Sequence, residues 1–234
     1  MISLAAFCLV FLGALVQYTV GFGMAVVAAP LLFLLSPIYV PGPLVILALV
    51  VSILSSYENR KNISLGGLKA ALIGRLPGSI VGGVLLTQID VAELSLWLGV
   101  AVLIAVVISL LPFRVNPTPR RLAVAGFLSG FMGTSTSIGG PPMALLMQHQ
   151  QADLLRANLA AFFLASSLMS LAVQIPTGYM SWQHLMASLP LIPAVILASR
   201  ASKKVRRWLP PEQMRYWSLG LCAISGLTAI IASF

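Results

Sequence analysis

Residues 133–146 read GTSTSIGGPPMALL, inside an apolar stretch that covers residues 122–148. Two glycines followed by two prolines do not fit the middle of a regular helix, because glycine weakens it and proline removes a donor and clashes with the preceding turn. Proline does suit the first turn of a new helix. The stretch therefore predicts a helix that ends near Ser135, a turn, and a second helix that begins at Pro141 or Pro142.

The composition indicates an integral membrane protein. Of the 234 residues, 59% are hydrophobic and 8% are charged, and the mean hydropathy is +1.00. This is too little polar surface to cover a soluble globule. Apolar segments recur along the whole length, so we interpret residues 1–234 as a single transmembrane domain. The net charge is +9, and the basic residues lie in short loops between apolar segments. This placement is explained by orientation of the protein in a membrane, so we predict no nucleic acid partner.

The two halves of the chain resemble each other. A shift of 117 residues brings Gly23 onto Gly140 and Thr19 onto Thr136. Each half starts with a long apolar segment that contains glycines and continues with three further apolar segments. Two repeats, 1–117 and 118–234, are the economical interpretation. The segments are 2–36, 42–57, 64–87 and 94–113 in the first half and 122–148, 155–174, 182–200 and 213–233 in the second.

Basic loops indicate how the repeats are oriented. If the first segment of each half crossed the membrane once, the basic cluster at 200–207 would lie outside, against the positive-inside rule. If that segment enters and returns as a hairpin, all three basic loops lie inside. We therefore predict an all-α polytopic membrane protein of two inverted repeats, each a broken-helix hairpin plus three transmembrane helices. The basic loops contain Arg60 and Lys61; Arg114, Arg120 and Arg121; and Arg200, Lys203, Lys204, Arg206 and Arg207.

The hairpin segments are each too short for two full transmembrane helices and too long for one. They contain 35 residues (2–36) and 27 residues (122–148), which predicts two shortened helices that meet near mid-membrane. Tilted full spans are the alternative for the first hairpin. Because non-helical backbone at membrane depth must be buried by protein or line a cavity, each tip is expected to line a site or to pack against the other repeat.

The second tip has the chemistry of an anion site. The start of a helix offers free N–H groups and a partial positive charge, to which neighbouring hydroxyls add donors. Glycines would let an oxyanion approach the backbone. The alternative is that small residues permit tight helix contact and the hydroxyls bond back to carbonyl groups. The polar residues and glycines concerned are Thr134, Ser135, Thr136, Ser137, Gly139 and Gly140, and the polar residues of the first tip are Gln17, Tyr18 and Thr19.

Arg75 lies about eleven positions into the segment 64–87, far from any predicted loop. A charge at this depth is costly, which makes it a functional residue by default. Opposite an oxyanion it would supply a fixed charge and paired donors. The alternatives are a structural bond to hairpin carbonyls and snorkelling to the interface. All five acidic residues lie in or beside loops, so we expect no carboxylate proton relay, and we predict no metal and no cofactor.

Two stretches, GFLSGFMGTSTSIGGPPMALLMQHQ (126–150) and LLRANLAAFFLASS (154–167), resemble the TauE/SafE family of bacterial membrane proteins, which is associated with export of sulfite and organosulfonates. The resemblance implies a multi-pass transporter of the bacterial inner membrane. In the first tip, Phe22 and Met24 depart from the family's richer glycine run. The family's turn glycines and prolines fall on Gly21, Gly23, Gly139, Gly140, Pro141 and Pro142, and its Arg-Ala-Asn segment falls on Arg156, Ala157 and Asn158.

Taken together, these features predict a transporter that exports a small sulfur oxyanion through a site between the two tips, by alternating access. An importer or a cation-coupled carrier is the near alternative. An intramembrane enzyme would need Ser135 or Ser137 as nucleophile and His149 as base, and neither a Gly-x-Ser-x-Gly turn nor an orienting carboxylate accompanies them, so we predict no enzyme. The predicted partners are a small anionic substrate and the lipid bilayer, and a homodimer is left open.

Overall fold

The computed structural model describes residues 2–64, 66, 68–110, 116–148, 150–208 and 211–231, and the fold in these ranges is helical throughout, with short 3₁₀ turns. This confirms the prediction of an all-α polytopic protein. In chain order the helices are α1 (Ile2–Val20), α2 (Met24–Leu35), α3 (Gly42–Glu58), α4 (Leu68–Leu86), α5 (Val91–Leu110), α6 (Pro119–Thr136), α7 (Gly140–Met147), α8 (Ala152–Gln174), α9 (Trp182–Ser188), α10 (Ile192–Trp208) and α11 (Pro211–Ile231).

Within the described ranges, four helical stretches are long and apolar enough to cross a membrane. Two of them are α4 and α5, the third is α8, and the fourth runs from α9 into α10 as Trp182–Val205. Shorter apolar helices accompany them in α1, α2, α3 and α11. The chain is therefore a multi-pass membrane protein.

Helices α4 and α6 pack with their backbones in close contact. A Cβ atom on Gly74 would overlap the carbonyl oxygen of Ala123, and a Cβ on Gly82, two turns later, would approach that of Phe131. Gly78 lies between them, so glycines recur every four residues along this face of α4. Such spacing of small residues is how helices approach closely in membranes. Because the contacts advance along both helices together, α4 and α6 run in the same direction.

Apart from the buried Arg75, the described lysines and arginines gather at one end of the bundle. The parallel packing of α4 and α6 brings their first turns together. The backbone N–H of Ser64 donates to Oδ1 of Asn158 in the second turn of α8 (2.8 Å), and Glu58 at the end of α3 pairs with Lys203 near the end of α10 (3.0 Å). We call this end the basic end; its described basic residues are Arg60, Lys61, Lys69, Arg120, Arg121, Arg156, Arg200, Lys203 and Lys204.

The two hairpins enter the bundle from opposite ends. Near the end of α1, the carbonyl oxygen of Thr19 accepts a hydrogen bond from Arg156 (3.5 Å), which lies at the basic end. The second hairpin starts at the basic end, and just beyond α6 the hydroxyl of Ser137 donates to the carbonyl oxygen of Pro41, at the opposite end (3.0 Å). Inverted repeats require hairpins that enter from opposite ends. That residues 1–117 and 118–234 are inverted copies of each other over their whole length stays a prediction.

The two helices of each hairpin differ in length. Helices α1 and α6 have 19 and 18 residues, which at 1.5 Å per residue is about 28 and 27 Å, close to the thickness of the hydrocarbon core. The return helices α2 and α7 have 12 and 8 residues. The return helices are therefore the shorter members of the two hairpins, and for α1 and α6 the expectation of shortened helices that meet near mid-membrane stays a prediction. Segment length fixes the sum of the two helices but not the position of the turn between them.

Candidate functional site

The second hairpin turns where the sequence predicts. Helix α6 ends at Thr136 and α7 begins at Gly140, within one residue of the predicted boundaries. Ser137 adopts the left-handed conformation with φ of 67°, which reverses the chain. The hydroxyl of Thr136 accepts a hydrogen bond from the backbone N–H of Ile138 (3.3 Å) and donates to the carbonyl oxygen of Met132 (2.7 Å). The turn is therefore held from within.

Arg75 lies inside the protein, with only 3% of its surface exposed. The lipid-facing side of α4 carries other residues, among them Ile73 and Ile80, whose side chains are exposed. The opposite side, where Gly78 and Gly82 pack on α6, carries Arg75. The guanidinium therefore points into the bundle, and snorkelling to the interface does not describe it.

The guanidinium of Arg75 is held by three hydrogen bonds from two helices. Its Nη1 donates to the hydroxyl of Ser129 on α6 (2.8 Å). Its Nη2 donates to the hydroxyl of Ser170 (3.0 Å) and to the carbonyl oxygen of Ser166 (3.3 Å), both on α8. The ring of Phe162 lies 5.6 Å from the guanidinium carbon, within the range of a cation–π contact. These contacts fix the position of the charge.

Two polar atoms beside this charge have no partner among the described residues. Nε of Arg75 and the hydroxyl oxygen of Ser166 are both buried and make no hydrogen bond. Both residues line one small cavity. Buried polar groups are nearly always satisfied, and an unmade bond costs about 1–3 kcal/mol. A bound ligand with acceptor atoms would satisfy Nε, and one with either acceptors or donors would satisfy the hydroxyl.

This central cavity lies between the two hairpin tips. It leaves about 40 Å³ for the centres of water-sized molecules. The start of α2 contributes Gly23, Ala25 and Val26, and the second tip contributes Ser137, Gly139 and Gly140. The walls are completed by Gln17, Val45, Ala48, Arg75, Gly133, Ile138, Phe163, Ser166, Ser167 and Ser170.

The charge distribution around the cavity is positive. The N-terminal ends of α2 and α7, which carry partial positive charge, both border it, beside the full charge of Arg75. The cavity lining contains no Asp or Glu, and the ion pairs formed by the described side chains involve other residues. An arginine buried without a carboxylate is costly, and an anion in the cavity would offset that cost.

Three of the four predicted hydroxyl residues of the second tip lie behind the cavity wall. Thr134, Ser135 and Thr136 are fully buried and do not line the cavity. The hydroxyl of Thr134 bonds to that of Ser170 (3.0 Å). The hydroxyl of Ser135 donates to the carbonyl oxygen of Phe131 and accepts from Nε1 of Trp97 (2.9 Å). In the structure these hydroxyls hold the tip, and a role in substrate contact stays a prediction.

The remaining predicted residues of the second tip divide in the same way. Ser137, Gly139 and Gly140 line the central cavity, whereas Pro141 lines a neighbouring one. Gly133 and Gly139 also leave the room that Arg75 needs, since a Cβ on Gly133 would lie 2.9 Å from Nη2. The glycines at these positions therefore shape the charge site itself.

The first tip contributes fewer of its predicted residues. Gln17 and Gly23 line the central cavity, and Oε1 of Gln17 accepts a hydrogen bond from the backbone N–H of Met24 (3.2 Å), which caps α2. Tyr18 and Thr19 are buried away from it, and the hydroxyl of Thr19 donates to carbonyl oxygens of its own helix. Gly21, with φ of 103°, packs against the second turn of α8.

The Arg-Ala-Asn segment lies at the basic end and not at the cavity. Nδ2 of Asn158 donates to Oε1 of Gln150 (3.2 Å), and its Oδ1 accepts from Ser64. Arg156 pairs with Asp153 and bonds to the first tip through Thr19. In the structure this segment joins α8 to the neighbouring loop and tip. His149, the base of the enzyme alternative, lies outside the described residues.

Sequence reasoning did not find the serines of α8 or Ser129 on α6. Ser166, Ser167 and Ser170 recur on one face of an otherwise apolar helix, and this polar stripe was the available signal. The glycine spacing of α4 was a second signal, because it identifies the face on which Arg75 lies.

The family model for the sulfite exporter TauE/SafE family matches residues 6–229, nearly the whole chain. No curated protein and no solved structure matches the chain. The match covers both hairpins and every helix that borders the central cavity. Together with the multi-pass helical fold, it shows that the chain belongs to the TauE/SafE family of membrane transporters.

Proposed function

We propose that this protein exports a small sulfur oxyanion, sulfite or a compact organosulfonate, across the bacterial inner membrane, by alternating access at the central cavity. Membership of the TauE/SafE family supports membrane transport and a non-enzymatic role. The identity of the substrate, the direction of transport and the mechanism go beyond family membership, and they are what we propose. The observation that carries it is the buried Arg75, which lies in a cavity between two broken helices with its Nε unpartnered.

The charge and the donors of the cavity favour an oxyanion. One oxygen of a bound anion can accept from Nε of Arg75, and a second can accept from Ser166 or Ser137. Gly139 and Gly140 at the start of α7 also line the cavity, so we propose that backbone N–H groups there add donors. Pro141 and Pro142 have no N–H, so donors here are few and the arginine supplies the dominant attraction.

The size of the cavity favours a compact substrate. A water molecule needs about 10–15 Å³ on the same measure, so 40 Å³ corresponds to about three waters or one ligand of a few heavy atoms. Sulfite fits this description better than taurine or sulfoacetate, which carry a two-carbon tail. Longer sulfonates would need the hairpins to move apart.

We propose that Phe22, which lies beside the second tip but does not line the central cavity, is the barrier between that cavity and the basic end. This side chain packs against Gly140, where a Cβ would lie 3.3 Å from it, and it also borders a second cavity that extends to Gln148 and Leu155. On the opposite side, the bond from Ser137 to Pro41 closes the second tip against α3. Movement of each hairpin past these contacts would open the site to one side at a time.

The membrane potential favours export. With the basic end facing the cytoplasm, as the positive-inside rule predicts, an anion that leaves a cell with a negative interior gains about 2.3 kcal/mol per charge per 100 mV. Export could therefore run without a coupling ion. The near alternative is an importer or a cation-coupled carrier, which would need a sodium or proton gradient to move the anion against this potential.

Flux of labelled sulfite, taurine and sulfoacetate in reconstituted vesicles tests the proposal. We expect sulfite to move in the direction that an imposed potential drives it, with no requirement for sodium or a pH gradient. Arg75→Ala should abolish this flux. Lys69→Ala is the matched control, because Lys69 lies on the same helix with its side chain exposed. Unchanged flux in Arg75→Ala would show that Arg75 does not bind the transported anion. A strict requirement for sodium or for a proton gradient would favour the cation-coupled carrier.

A further inference from the structure

An open groove on the outer surface of the bundle combines apolar walls with two arginines at one end. It lies on α6 between α5 and α7 and leaves about 350 Å³ for the centres of water-sized molecules. Val124 and Leu128, both exposed, lie along its length. We call it the α6 groove; it is defined by Arg120, Arg121, Val124, Leu128, Leu145 and Leu146.

The polar and apolar parts of the groove are separated along α6. Arg120 and Arg121 lie in the first turn, at the basic end, and the apolar residues follow toward the membrane interior. From Arg121 to Leu128 the helix rises about 10 Å. The arginines therefore lie where headgroups begin, and the apolar walls lie where an acyl chain would run.

Among the described residues, no acidic side chain neutralises the charge at the head of the groove. Both arginines are exposed, and the groove lining contains no Asp or Glu. Arg121 donates to the carbonyl oxygen of Asn116 (3.2 Å), which orients its guanidinium without cancelling its charge. Two arginines are suited to paired hydrogen bonding with phosphate oxygens.

We propose that the α6 groove is a binding site for an anionic phospholipid, whose phosphate lies on Arg120 and Arg121 and whose acyl chain lies along Val124 and Leu128. The two arginines favour a lipid with a net negative charge over a zwitterionic lipid. The apolar walls that continue along α6 favour a lipid over a free phosphate. The occupant would also contact α7 through Leu145 and Leu146. Because α7 begins at the central cavity, this site touches the moving hairpin directly.

Native mass spectrometry of the full-length protein in detergent tests this site, because it reports bound lipids and oligomeric state together. The probes are phosphatidylglycerol, phosphatidylcholine and glycerol 3-phosphate. Each arginine near a membrane surface contributes about fivefold in affinity for anionic lipid, so Arg120→Gln with Arg121→Gln should weaken phosphatidylglycerol binding about 25-fold and leave phosphatidylcholine nearly unchanged. Lys61→Gln with Lys204→Gln removes the same charge at two other exposed positions of the basic end and should have little effect.

A second variant tests the apolar part without touching the charge. Val124→Trp fills the groove and should reduce occupancy by both phospholipids. Glycerol 3-phosphate should not displace phosphatidylglycerol at equal concentration. Three results would each overturn the proposal: equal phosphatidylglycerol binding by the arginine variant and its lysine control, full displacement by glycerol 3-phosphate, or a dimer that Val124→Trp dissociates, which would show that a second copy fills the groove.

Discussion

Replacement of Gly133 by alanine tests the geometry of the arginine site without removing its charge. A Cβ at this position would lie 2.9 Å from Nη2 and 3.3 Å from Nη1 of Arg75, where ordinary contact begins at 3.4 Å. The guanidinium must therefore move by about 0.5 Å or more at Nη2. That atom donates to Ser170 at 3.0 Å, and a displacement of this size along the bond would stretch it to the limit for a hydrogen bond.

The expected size of the effect follows from these contacts. A hydrogen bond to a charged group contributes about 1.5–3 kcal/mol, and loss of that much from the orientation of the guanidinium would weaken anion binding by roughly ten- to a hundredfold. Overpacking would destabilise the fold by about 1–3 kcal/mol, partly offset by the better helix propensity of alanine, about 1 kcal/mol. Sulfite binding to purified protein and thermal unfolding in detergent measure the two effects separately.

Gly220→Ala is the matched control. Gly220 is also helical and exposed, and a Cβ there would meet no atom of the described residues within 4 Å. It should leave sulfite affinity unchanged and stabilise the helix by up to about 1 kcal/mol. Equal sulfite affinity in the Gly133→Ala and Gly220→Ala proteins would refute the assignment of the anion to this guanidinium.

Three further substitutions test the supporting structure. Trp97→Phe removes the indole donor to Ser135, and we expect a loss of about 1 kcal/mol in thermal unfolding with sulfite affinity retained; a large loss of affinity would show that this hydroxyl contacts substrate. Gly126→Ala places a Cβ on the carbonyl oxygen of Ala71, so folded yield should fall sharply, and normal yield would contradict the close packing of α4 and α6. Phe22→Ala removes the barrier on the route to the basic end and should produce an anion leak across sealed vesicles that the parent protein lacks; tight vesicles would place the barrier elsewhere.

The sequence predicted the elements with strong local signals. Glycine weakens a helix because its backbone is so free, and proline breaks one because it lacks a donor, so the turn before Pro141 was predicted to within a residue. A lone charge in an apolar segment is costly, so Arg75 was singled out as a functional candidate, and the structure places it in the protein interior. That it binds substrate stays a prediction.

Signals that depend on tertiary partners could not be interpreted in the same way. A serine in a transmembrane helix can bond back to its own helix or face a site, and the sequence does not distinguish Thr136, which does the former, from Ser166, which lines the cavity. The division of the first hairpin into a long α1 and a short α2 depended on the position of the turn near Gly21, which segment length alone does not fix.

The position of a bound anion is the most direct test of the account. Selenite resembles sulfite in shape and charge, and its selenium can be located by anomalous scattering in crystals of the protein. The account predicts a single strong peak in the central cavity, with oxygens in hydrogen-bonding range of Nε of Arg75 and the hydroxyl of Ser166. A peak outside the space between the two hairpin tips, or a cavity that stays free of selenite at concentrations that saturate transport, would contradict it.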